Sequence, residues 1–188
     1  MSSPPATRPK PGLIEIKLRS AGQLFNSFDP SPFPGRDLDD KAEEFIVGWA
    51  REVRTENRYR IVIHLPREEC ETPIAKSLPE AVARHFEYRA GVLTRELREL
   101  FRTGRLFLAI GLSIFVFCNA LAQATRAIFP LNAVTESIEQ GLIIVGWVAN
   151  WRPVELLIFD WWPLRRRIRL YEQLAQAEIV VNSEGQSR

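Results

Sequence analysis

Cysteine, histidine and methionine are scarce in this chain, at two, two and one of 188 residues. Cys70 precedes, and Cys118 lies within, a long apolar run, so no disulfide framework is expected. His64 and His85 have no Cys, His or HExxH partner at ligand spacing, which leaves a metal site without a signature. A GxSxG elbow, a Cys-His pairing signal and a glycine-rich phosphate loop are also missing, so hydrolase and nucleotide chemistry have no sequence support. The formal net charge is only +2, and no Lys/Arg-rich run is interleaved with aromatics as a nucleic-acid groove requires. An apolar leader is lacking too, the first dozen residues reading MSSPPATRPKPG, so an internal segment is expected to direct insertion. These absences predict a non-enzymatic protein with no cofactor.

What the chain does have is twenty consecutive residues without a charge, 106–125, reading LFLAIGLSIFVFCNALAQAT. A helix of that length spans about 30 Å, the hydrocarbon thickness of a bilayer. Residues 141–162 form a second apolar segment close behind. The expected fold class is therefore a small α+β domain joined to a transmembrane helical hairpin. Its expected divisions are a disordered tail at 1–11, a cytoplasmic domain at 12–103, the hairpin at 104–162 and a basic segment at 163–188.

Arginine distribution sets the expected orientation. Arg95, Arg98, Arg102 and Arg105 precede the first segment, and Arg165, Arg166, Arg167 and Arg169 follow the second, whereas residues 126–140 hold one Arg and no Lys. Basic flanks favour the cytoplasmic side, so both termini are expected there. Trp151, Trp161, Trp162 and Arg165 to Arg167 are read as interface anchors in the manner of an aromatic belt.

Within the soluble part, Ile14, Ile16 and Leu18 alternate with charged residues, as do Tyr59, Ile61, Ile63 and Leu65 with Arg60, Val62 and His64, which predicts two strands. Between them Leu38, Ala42, Phe45, Ile46, Trp49, Ala50 and Val53 fall at helical spacing, with Glu43 on the opposite face and Asp37 as the N-cap. Ser77 and Glu80 form a capping-box pattern ahead of a helix that can run without a break through residue 125. Residues 178–181 suit a third strand. The Pro-rich loop between the first strand and the helix carries Phe25, Phe28, Asp29 and Phe33 and is expected to bind a partner or to pack.

Polar residues inside the apolar segments are the remaining candidates. Arg152 and Glu155 share a helical face about Pro153, at a depth where ionisable groups are functional candidates by default. They either pair and set how the hairpin sits, or line an ion or small-solute path. Asn119 and Gln123 share a face of the first segment, and Asn150 of the second is expected to lie opposite as interhelical glue.

Residues 141–163, including Gly141, Trp147, Trp151, Arg152, Pro153, Glu155, Asp160, Trp161, Trp162 and Pro163, resemble the C-terminal signature EGLxIxGWVAxWRPxExxLYDWWP of an uncharacterised family of small bacterial inner-membrane proteins. Gln140 and Phe159 depart from that pattern. Residues 23–39, QLFNSFDPSPFPGRDLD, resemble the same family's N-terminal signature. The resemblance implies a bacterial inner-membrane location and carries no activity. The expected function is thus a membrane-anchored scaffold or accessory subunit. Its expected partners are the lipid bilayer and a second copy of the chain or another membrane protein.

Overall fold

The computed structural model describes residues 12–26, 37–53, 58–130 and 132–183. Its elements are β1 (Gly12–Lys17), α1 (Asp40–Val53), β2 (Tyr59–Leu65), α2 (Arg67–Cys70), α3 (Pro73–Ile128), α4 (Ala133–Ala149), α5 (Trp151–Glu155), a π-helical turn at Leu156–Asp160, α6 (Trp161–Ala175) and β3 (Glu178–Ser183). The chain divides into two compact units. One comprises Met1–Val92 with Arg167–Arg188, within the described residues, and the other is Leu93–Arg166.

In the first unit the three strands form one sheet in the order β1-β2-β3. Both pairings are parallel, with Ile14 opposite Ile61 and Ile63 opposite Val181. Parallel neighbours need a crossover connection. The first crossover carries α1, and the second carries everything from α2 to α6, including both long apolar helices. A wholly parallel sheet linked by helices is an α/β arrangement, which refines the expected α+β class. Central β2 buries Tyr59, Ile61, Val62, Ile63 and Leu65, whereas edge strand β1 alternates buried and exposed residues. On the other face of β2 Val62 is buried as well, while Arg60 and His64 beside it stay partly exposed.

Two helix starts differ from the expected ones. Asp39, not Asp37, caps α1, its Oδ1 accepting from the Lys41 N–H at 3.0 Å. Helix α3 begins at Pro73, where Thr72 Oγ1 accepts from the Ala75 N–H at 3.2 Å and proline occupies the first helical position. Ser77 lies inside α3 and donates to the Ile74 carbonyl at 2.9 Å, so its capping-box role is corrected. From Pro73, α3 continues unbroken to Ile128.

The buried face of α1 also differs. Glu43, Ile46, Val47 and Ala50 are buried, while Phe45, Trp49 and Val53 are exposed. The helix is rotated by roughly a quarter turn from the face its aromatics suggest, at 100° per residue. Tyr59 fastens it to the sheet by donating from its hydroxyl to the Ala50 carbonyl at 2.9 Å.

The second unit is a helical hairpin with a seam of small residues. Gly104, Gly111, Cys118 and Ala122 of α3 are buried, and Gly146, Pro153 and Leu156 are their counterparts after the turn. A Cβ on Gly111 would stand 2.8 Å from Asn150 Oδ1 and 3.0 Å from the Ala149 carbonyl, and one on Gly146 3.2 Å from Phe115. Small residues let helix backbones approach this closely. Asn132 caps α4, accepting from the N–H groups of Val134 and Thr135 at 3.1 and 2.9 Å. Both cysteines are free.

Candidate functional site

The most elaborate polar arrangement in the described residues centres on Glu43, in the first unit. Helical spacing places Glu43 in line with Ile46, Val47 and Ala50, so burying that face carries the carboxylate inward to 9% side-chain exposure. Its Oε1 accepts from the Tyr171 hydroxyl at 2.6 Å and from Arg89 Nε and a terminal guanidinium nitrogen, each at 3.1 Å. Its Oε2 faces His85 Nε2 at 2.8 Å. The Leu38 N–H donates to His85 Nδ1 at 3.3 Å, which assigns the ring proton to Nε2 and directs it at Glu43. Asp37 Oδ1, 3.5 Å from Nδ1, is the other carboxylate beside the ring.

Burial by itself would raise the Glu43 pKa. The hydrogen bonds from His85, Tyr171 and Arg89 and the charge of Arg89 outweigh it and lower the value from 4.5 to about 2. In return burial, the hydrogen bond to Glu43 and its negative charge raise the Tyr171 hydroxyl above its ordinary value. Burial opposes the charge on Arg89, but its bond to Glu43 and the attraction between them prevail and raise its pKa. A carboxylate saturated by four donors and held near pKa 2 is a poor base at neutral pH. What this arrangement does well is join three helices, α1 through Glu43, α3 through His85 and Arg89, and α6 through Tyr171. Phe86 packs beside it, its ring 5.9 Å from that of Tyr171.

None of these four residues stands among the sequence-derived candidates. The one available signal was the 43-46-47-50 spacing, which competes with the more apolar stripe through Phe45 and Trp49. Those two rings lie 6.2 Å apart on the outer face of α1. Of the loop expected to bind a partner or to pack, Phe25 packs: it is 3% exposed, and its bridge to Leu38 ties it into the first unit. Phe28, Asp29 and Phe33 lie outside the described residues.

Comparison with known proteins finds no matching family model, curated protein or solved structure.

In the second unit Asn150 meets α3 at its backbone. Its Nδ2 donates to the Gly111 carbonyl at 3.1 Å and to that of Gly146 at 3.0 Å. Asn119, expected to face it, donates to the Phe115 carbonyl of its own helix at 3.0 Å, and Gln123 is exposed. The expected side-chain cluster is thus replaced by one side chain bonding the opposite helix where glycine leaves its carbonyl open.

Arg152 and Glu155 pair at 3.0 Å on the outer face of the hairpin, with side-chain exposures of 62% and 44%. Their height comes from the register. Leu157 packs on Gly104 and Asn150 on Gly111, so by equal counting Arg152 stands level with Ala109 and Glu155 with Leu106. That is the first turn of the charge-free run in α3, not its middle. Between Glu139 and Arg152 twelve residues carry no charge, against twenty between Arg105 and Arg126. Glu139 approaches Arg126 at 3.7 Å at the other end. Trp151 and Trp162 are exposed, Trp161 packs edge-on against Trp162, and the Arg165 guanidinium stands 5.8 Å from the Trp161 ring. Arg166 and Arg167 are exposed. Among the described residues no group of three or more metal-ligating side chains forms.

Proposed function

We propose that this chain is a two-span membrane protein that acts without catalysis, as a self-associating anchored scaffold or accessory subunit. The observation that carries the reading is the place of the apolar hairpin within the β2-to-β3 crossover. A domain assembled from both flanks of two crossings is tethered by two legs, and the Glu43 network fastens those legs, α3 and α6, to α1.

Two helices are long and apolar enough to cross a bilayer, and only 17% of each apolar window is buried. The core helix of a water-soluble protein would bury most of such a window, so this exposure favours a lipid environment. The arginines on both flanks favour cytoplasmic termini, and the family resemblance favours a bacterial inner membrane. Level with Ala109 and Leu106 respectively, Arg152 and Glu155 lie near the interface, where long cationic side chains reach headgroups. That height favours a structural pair over a path.

The test is the native mass of the full chain in lipid nanodiscs. A particle of two or more copies, or one carrying a second polypeptide, is expected. A lone copy would overturn the assembly reading. An assembled Glu155→Gln protein with altered liposome ion flux would favour the path.

A further inference from the structure

Arg95, Arg98, Arg102 and Arg105 succeed one another at spacings of three, four and three residues. At 100° per residue they fall within an arc of about 80° on α3. That arc points away from the seam marked by Gly104 and Gly111, and all four side chains are exposed. Glu99 is four residues from Arg95 and three from Arg102, and Glu96 is adjacent, yet none of the four arginines forms an ion pair among the described residues. Four free guanidinium groups on one face are a surface for anions, because each fork can grip two oxygens of a phosphate.

The apolar residues beyond the stripe select the anion. In the same helical phase, seven residues past Arg102, Arg105 and Ala109, stand Ala109, Leu112 and Val116, with Leu112 and Val116 49% and 62% exposed. The face changes from cationic to apolar at the start of the charge-free run. A ligand with a phosphate at one end and hydrocarbon at the other fits both parts, whereas a free phosphate engages only the first. Arg165 and Arg166 reach a similar height on α6. By the Gly104–Leu157 contact, Arg95 and Arg166 each lie nine residues, about 14 Å, beyond that level. Glu96, Glu99 and Asp160 are the acidic residues of this zone, fewer than its six arginines.

We propose that the stripe formed by Arg95, Arg98, Arg102 and Arg105 binds the headgroups of anionic phospholipids while Ala109, Leu112 and Val116 receive their acyl chains. This rests on the reading of the hairpin as membrane-spanning. The full chain in detergent is offered equal phosphatidylglycerol and phosphatidylcholine, and retained lipid is counted by native mass spectrometry. Phosphatidylglycerol is expected to be retained at least fivefold over phosphatidylcholine and to weaken as salt rises, at about fivefold per arginine near a charged surface. The R102Q/R105Q variant should lose most of that preference. R102K/R105K should keep part of it, since charge remains and the fork does not.

Equal retention of the two lipids would overturn the proposal, as would a preference that survives R95Q/R98Q/R102Q/R105Q. Displacement by inorganic phosphate at an ionic strength where chloride leaves the lipid bound would overturn it in favour of a free-ion site. An acidic polypeptide held by the stripe in place of lipid would overturn it in favour of a protein interface. Vesicle flotation separates the two levels. A chain that floats with both lipids but prefers neither defeats this proposal alone, and one that floats with neither defeats the membrane reading as well.

Discussion

Glu43 and Glu155 each accept from an arginine, and the two units treat them differently. Glu43 receives donors from side chains 42, 46 and 128 residues away on two other helices, in a place that excludes most water. Glu155 bonds Arg152 three residues back, on an exposed surface. Glycine shows the same contrast. Gly48 on α1 has open space where a Cβ would go, while Gly111 in the hairpin has two oxygens within 3.0 Å. A residue's weight is set by how many distant groups depend on it, which differs between a packed sheet domain and a two-helix seam.

The largest expected effect is at Glu43. Its folded pKa of about 2 lies below the ordinary 4.5, so its stabilisation is complete above that upper value and is lost as pH falls toward the lower one. The difference amounts to about 3 kcal/mol. Denaturant unfolding of the first unit, followed from pH 6 to pH 2, should show that loss in the parent chain. Glu43→Gln should be less stable by about 2 to 3 kcal/mol at neutral pH, and its stability should vary less over the acidic range. A Glu43→Gln protein as stable as the parent would dissolve the contrast between the units.

Next in size is the hairpin seam. Gly111→Ala places a methyl group against Asn150 and the Ala149 carbonyl and should destabilise the second unit by about 1 to 3 kcal/mol. Asn150→Ala, which removes the bond to the Gly111 carbonyl, should cost about 0.6 to 2 kcal/mol. Thermal melting in detergent measures both. The sign reverses at Gly48→Ala, where nothing obstructs the new methyl and helix propensity should add about 0.5 to 1 kcal/mol. Opposite signs for two Gly→Ala changes would sharpen the comparison.

Smallest is Glu155→Gln. The pair it breaks is exposed and local, so melting in detergent should shift by less than about 1 kcal/mol. A loss as large as that of Glu43→Gln would mean that the outer face of the hairpin is packed against another copy.

Much of the molecule was legible in local pattern. The uninterrupted α3, the return of the chain through a second apolar helix, and the alternation in β1 and β2 stem from composition and period over short windows. The rotation of α1 was not, because Phe45 and Trp49 outweigh Glu43 on any apolar count. A buried carboxylate has no signature until its donors are known. Likewise Ser77 and Glu80 match a capping box as well as Thr72 and Pro73 mark a start, and only packing selected the earlier turn.

By itself, then, the sequence determined that two helices are apolar enough to span a membrane and that strand, helix and strand precede them. Hydrophobic length and periodicity belong to neighbouring residues. Tertiary structure alone decided that all three strands run parallel, that the hairpin lies within one crossover, that Glu43 joins α1, α3 and α6, and that Arg152 stands level with Ala109. Each of these depends on residues far apart in the chain, whose meeting is set by how helices and strands pack and has no local period to reveal it.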